Sequence, residues 1–127
     1  MTEYRQSGTG KPVVLLHGWG DNMESWTGVA ASLEGTHQVN ILDLPGFGKS
    51  QAPKNTWGLN EYAEFVGEFL KKLEIIPEVI IGHSNGGAIA IRGLASGSLK
   101  ADKLILLASS GIRDAYKGRT RVIRAIA

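Results

Sequence analysis

An α/β architecture, with a mostly parallel sheet of about four to five strands and helices on both faces, follows from three features of this 127-residue sequence. Four short runs rich in Val, Ile and Leu are apolar on both faces, as strands buried in a parallel sheet are. Helical periodicity fills the intervals between them, and strand–helix alternation implies right-handed crossovers. The 17 glycines cluster at junctions, notably at 18 and 20, 46 and 48, and 82, 86 and 87, as punctuation between elements rather than as linker.

Each element has its own warrant. An extended piece near Tyr4 to Gln6 adds an edge strand, and Val13-Val14-Leu15-Leu16 is the first buried strand. Residues 23–34 put Trp26, Val29, Ala30 and Leu33 on one helical face, ahead of a strand at Val39-Asn40-Ile41-Leu42. Residues 59–74 repeat Leu59, Tyr62, Phe65, Val66, Phe69, Leu70 and Leu73 at i, i+3, i+4, i+7 spacing, a strongly amphipathic helix. Val79-Ile80-Ile81 is the next strand. Residues 85–96 are small and apolar, which suits a helix packed tightly on a sheet. Leu104-Ile105-Leu106-Leu107 closes the set of strands, and residues 112–126 have the pattern of a last helix, weakened by Gly118. The chain reads as a single domain over residues 1–127.

Composition excludes several classes. Absence of Cys rules out disulfides, thiolate metal sites and a Cys nucleophile. No apolar run approaches membrane-spanning length, and Met1 to Arg5 does not open a signal peptide, so the expected setting is cytoplasmic with no membrane partner. Net charge is +2, but residues 1–84 carry −4 and residues 85–127 carry +6. A basic end can bind nucleic acid. Without aromatic interleaving beyond Tyr116, nucleic acid is not the expected partner.

The chemistry concentrates in Gly82-His83-Ser84-Asn85-Gly86-Gly87. This G-x-S-x-G segment lies directly after a strand and before a helix, where a nucleophilic Ser on a tight turn has its hydroxyl exposed. Gly82 and Gly86 remove side chains that would collide across the turn. The helix N-terminus behind Ser84 offers the Asn85 backbone N–H and a positive dipole end to a developing oxyanion. His17-Gly18-Trp19-Gly20 follows the first buried strand and supplies a second backbone donor at Trp19. The His17 side chain reads as a structural hydrogen-bonding group rather than a base. Asp43-Leu44-Pro45-Gly46-Phe47-Gly48-Lys49-Ser50 ends like a phosphate-binding loop, but the required Gly at position 43 is Asp, so it reads as a turn after the second buried strand.

Together these three segments, in order and spacing, resemble the N-terminal half of an α/β-hydrolase. Gly18-Trp19-Gly20, the Asp43 to Ser50 loop and Ala108-Ser109-Ser110 are similar to those of pimeloyl-carrier-protein methyl ester esterases and related small carboxylesterases. The resemblance implies a truncated hydrolase fold with Ser84 as nucleophile, an oxyanion hole from the backbone N–H groups of Trp19 and Asn85, a small carboxylic ester as substrate, and no cofactor or metal.

What the family places after the nucleophile is missing. Its triad continues Ser, then Asp or Glu, then His. The 43 residues after Ser84 hold Asp102 and Asp114 and no His. His17, His37 and His83 remain. His83 is expected to point away from the nucleophile's face, although it can support the turn, and His37 is expected at the far end of the sheet. The base would then come from a partner chain. An uncovered apolar strand at Leu104 to Leu107, and an apolar helix face within 112–127, point to a homodimer or higher homo-oligomer. The other open reading is a catalytically inactive, hydrolase-like interaction module.

Overall fold

The structure is a computed structural model that describes residues 1–110; the helix expected over 112–126, and Asp114, lie outside the described residues. The elements run β1 Tyr4–Ser7, β2 Lys11–Leu16, a single 3-10 turn at Met23–Trp26, α1 Thr27–Leu33, β3 His37–Leu42, α2 Leu59–Lys72, β4 Val79–His83, α3 Asn85–Ser96 and β5 Lys103–Leu107. The five strands form one sheet in the order β1-β3-β2-β4-β5. All neighbours are parallel except β1, which pairs antiparallel with β3 through Tyr4–Leu42 to Ser7–Val39.

Strand alternation divides the core in two. Val14, Leu16, Leu42 and Ile80 meet the two helices on one face, packing with Tyr62, Ala63, Val66 and Leu70 of α2 and Ile89 and Ala90 of α3. Val13, Leu15, Val39, Ile41, Val79 and Ile81 face the other way, onto Met23, Trp26 and Ala30. The apolar stripe read from residues 59–74 is the face that α2 buries. Glu61 reaches back to the Gly58 N–H at 3.2 Å to fix the start of this helix, while Lys71 and Lys72 occupy its last turn. It stops at Lys72, short of residue 74, because Glu74 adopts a φ of 55°.

The helix expected over 23–34 begins as a 3-10 turn. Asn22 accepts from the Glu24 N–H, the Ser25 hydroxyl donates to Asn22 C=O, and the Thr27 hydroxyl donates to Glu24 C=O. These local side-chain bonds compete with the α-helical ladder. The extended piece at the N-terminus is one residue longer than read, and β4 continues through Gly82 to His83.

Chain direction in the sheet sets the site. After β2 the chain turns through α1 toward β3, and after β4 it turns through α3 toward β5, on the opposite side of the sheet order. Neighbouring strands whose connections diverge in this way leave a crevice at their C-terminal ends, the general ligand position in open α/β sheets. The loops after β2 and β4 carry Gly18 and Ser84. Among the described residues no helix is long and apolar enough to cross a membrane.

Candidate active site

Ser84 links β4 to α3 with φ 52° and ψ −119°. A residue with a Cβ adopts this backbone at a cost of about 1–3 kcal/mol, and only where its surroundings enforce it. Two close approaches do so. A Cβ on Gly82 would lie 2.6 Å from Gly87 Cα, and one on Gly86 would lie 2.6 Å from the His17 carbonyl oxygen and run into that of Leu16. Helix α3 therefore starts hard against the end of β2. The Ser84 N–H donates to Leu107 C=O at 3.1 Å, and its carbonyl accepts from the N–H groups of Gly87 (3.0 Å), Ala88 (3.3 Å) and Ser110 (3.1 Å).

The loop after β2 runs beside this turn. A Cβ on Gly18 would stand 3.0 Å from Ser84 Cβ and 3.3 Å from His83 Nδ1. Trp19, the next residue, is 70% exposed and rests edge-on against Phe47, with ring centroids 4.8 Å apart. Among the described residues neither the Trp19 N–H nor the Asn85 N–H enters a backbone hydrogen bond. Asn85 is the first residue of the 12-residue α3, where free N–H groups and the helix dipole favour negative charge. The two expected donors thus stand on the loop after β2 and at the start of α3, which meet at Ser84.

The three histidines are placed differently. His17 is fully buried. Its Nε2 accepts from the Leu44 N–H at 3.0 Å, which leaves the ring proton on Nδ1 to donate to Gly18 C=O at 2.8 Å. Both ring nitrogens are engaged, and the ring ties the loop after β2 to the loop after β3. His83 ends β4 on the α1 face, where it lines a cavity of about 190 Å³ with Asp21, Ser25, Trp26, Val29 and Leu107. His37 is the first residue of β3, opposite Lys11, with Nδ1 2.8 Å from the Thr36 hydroxyl. That is the N-terminal edge of the sheet, far from Ser84. Asp102 lies at the same edge, its N–H bonded to Glu78 C=O at 3.0 Å.

A buried carboxylate that sequence reasoning passed over holds the neighbouring loop. Asp43 follows β3 at 2% exposure; its Oδ1 accepts from the Met23 N–H at 2.7 Å and its Oδ2 from the Lys49 N–H at 2.9 Å. The segment from Asp43 to Ser50 is a turn after β3, as expected. It presents Phe47 between His17 (5.6 Å) and Trp19. Tyr62 on α2 closes the aromatic group, its hydroxyl donating to Pro45 C=O at 2.9 Å, and burial raises its pKa above the ordinary 10.0.

Comparison with known proteins agrees with this architecture. Residues 11–125 match the family described as alpha/beta hydrolase fold. The chain is 35% identical over 109 residues to an uncharacterized protein of Mycobacterium tuberculosis, covering 86% of this chain and 32% of that one. It is 38% identical over 117 residues to a pimeloyl-[acyl-carrier protein] methyl ester esterase of Aeromonas hydrophila, covering 87% and 44%. An esterase from Exiguobacterium antarcticum superposes with a TM-score of 0.82 at 30% identity, covering 91% of this chain and 45% of that one. The chain therefore spans between about a third and just under half of these relatives. With residues 11–125 matched to the family, and with the parallel sheet, the crevice and the strand-to-helix turn at Ser84 (the elbow) in place, the chain belongs to the alpha/beta hydrolase fold family.

Proposed function

We propose that this chain carries the nucleophilic half of a serine hydrolase acting on small carboxylic esters. The observation that carries the reading is the backbone of Ser84, φ 52° and ψ −119°, on a strand-to-helix turn with α3 behind it. In this reading Ser84 Oγ attacks the ester carbonyl carbon as its proton passes to a base. The Trp19 and Asn85 N–H groups hold the oxyanion. Collapse of the tetrahedral intermediate expels the alcohol, which takes up the proton, and water then releases the acid from the acyl-enzyme. The esterase relatives support the substrate class.

No histidine among the described residues is placed as the base, since His17 is engaged at both nitrogens and His37 and His83 lie at another edge and on another face. We assign it to a second polypeptide segment, most simply another copy in a homodimer. The same observation favours a second reading, a hydrolase-like module without catalysis. Turnover of p-nitrophenyl acetate, with Ser84→Ala as background and the assembly mass from light scattering, separates the two. Turnover that vanishes in Ser84→Ala and tracks a dimeric species supports the hydrolase. Turnover equal to that of Ser84→Ala leaves the module.

A further inference from the structure

The exit of β5 grips Ser84 from both sides. In the β4–β5 ladder His83 stands opposite Leu107. The ladder continues one step past the strand, where the Ser84 N–H donates to Leu107 C=O. The chain then reverses through Ala108, at a φ of 44°, and returns so that the Ser110 N–H donates to Ser84 C=O. Both peptide groups that define the strained φ and ψ of Ser84 are thus bonded to residues 107–110.

Between those two bonds sits Ser109. It is 8% exposed, and its hydroxyl donates to Ser110 C=O at 2.8 Å, closing the turn. Its side chain fills the space over Gly87: a Cβ on Gly87 would lie 2.7 Å from Ser109 Cβ and run into its Oγ. The spacing between the first turn of α3 and the exit of β5 is therefore set by Ser109 against a bare Gly87. The hydroxyl has no direct role toward Ser84 Oγ; it acts through the turn.

We infer that Ser109 is a positioning residue for Ser84, a wedge and latch that holds the β5 exit against the elbow. This rests on the reading of Ser84 as nucleophile. It predicts coupling between positions 87 and 109, two groups that share one space.

The test measures the rate of fluorophosphonate labelling at Ser84 alongside hydrogen exchange of the Ser84 and Ser110 amides. Ser109→Ala keeps the Cβ and loses the latch; labelling of the folded protein should fall about tenfold, as for other small misplacements of reacting groups, while both amides exchange faster. Gly87→Ala should slow labelling further, and Ser109→Gly in that background, which frees the shared space but does not restore the hydroxyl, should bring labelling back to about the level of Ser109→Ala. A Ser109→Ala protein that labels and exchanges at native rates would overturn the inference. Absence of labelling in the native chain would instead defeat the reading of Ser84 as nucleophile and leave exchange to decide. Faster exchange in Ser109→Ala would then support the wedge and latch, and unchanged exchange would overturn it.

Discussion

Asp43 and Gly48 show how single residues fix the loop after β3. The Gly48 backbone, at a φ of 53°, lies so close to the Asp43 carboxylate that a Cβ would collide with it. The carboxylate in turn accepts from the Met23 N–H at the start of the 3-10 turn and from the Lys49 N–H of its own loop. Asp43→Ala leaves the buried Met23 N–H and the part-buried Lys49 N–H unpaired and should cost about 1–3 kcal/mol, read as a lower urea midpoint. Asp43→Asn, which keeps an acceptor, should lose less. Tyr62 gives a pH signature. Because burial raises its folded pKa, the folded state holds the phenolic proton more tightly than the unfolded chain. Its contribution is fully present below the ordinary pKa of 10.0 and declines as pH rises through that value toward the higher folded one. Stability measured from neutral pH to above that range should fall less steeply in Tyr62→Phe than in the native chain. An identical slope in both proteins would contradict the assignment. The placement of Ser84 and Asn85 on a strand-to-helix turn and of Trp19 on the loop after β2 was legible from the G-x-S-x-G pattern and the His17-Gly18-Trp19-Gly20 loop, because such turns are set by neighbours in sequence. Asp43 was not legible as a tie, since its partner Met23 is 20 residues away and the contact exists only because β2 and β3 pair.

At the scale of elements, the strands and helices could be read because their patterns are local: apolar runs for β2 to β5 and a clear stripe on α2. The boundaries that moved did so for side-chain reasons, as in the Asn22 and Ser25 bonds that turn Met23–Trp26 into a 3-10 segment. The grip of β5 on Ser84 was invisible in the sequence, since backbone bonds from Leu107 and Ser110 leave no mark on residue type. The contact between α3 and β2 is the element pair on which the elbow depends. Gly86→Ala would push a Cβ into the Leu16 and His17 carbonyls and force α3 away. It should destabilise by about 3 kcal/mol, in the range of core overpacking, and displace the Asn85 N–H as well. A Gly86→Ala protein with native thermal stability would show that α3 does not start against β2 as described.

Over the whole molecule, the sheet is asymmetric. Its β1 side ends in a short antiparallel strand with exposed polar residues, whereas β5 is an edge strand among the described residues, with Ile105 44% exposed. Ile105 stands opposite Ile81 of β4. Edges of this kind pair with other strands unless charge blunts them. Ile105→Lys should therefore lower the assembly mass seen by light scattering if self-association runs through β5, and an unchanged oligomer would place the contact elsewhere. Length acquired its meaning from the relatives: 127 residues suffice for one domain, yet these span less than half of the esterases they match. The proposed function stands or falls with Ser84 as an activated nucleophile. The direct measurement is mass-spectrometric mapping of a fluorophosphonate adduct on the native chain. A single adduct on the peptide containing Ser84, lost in Ser84→Ala, is the expected result; an unmodified Ser84 peptide under conditions that label an active serine esterase would rule out an activated nucleophile at this position.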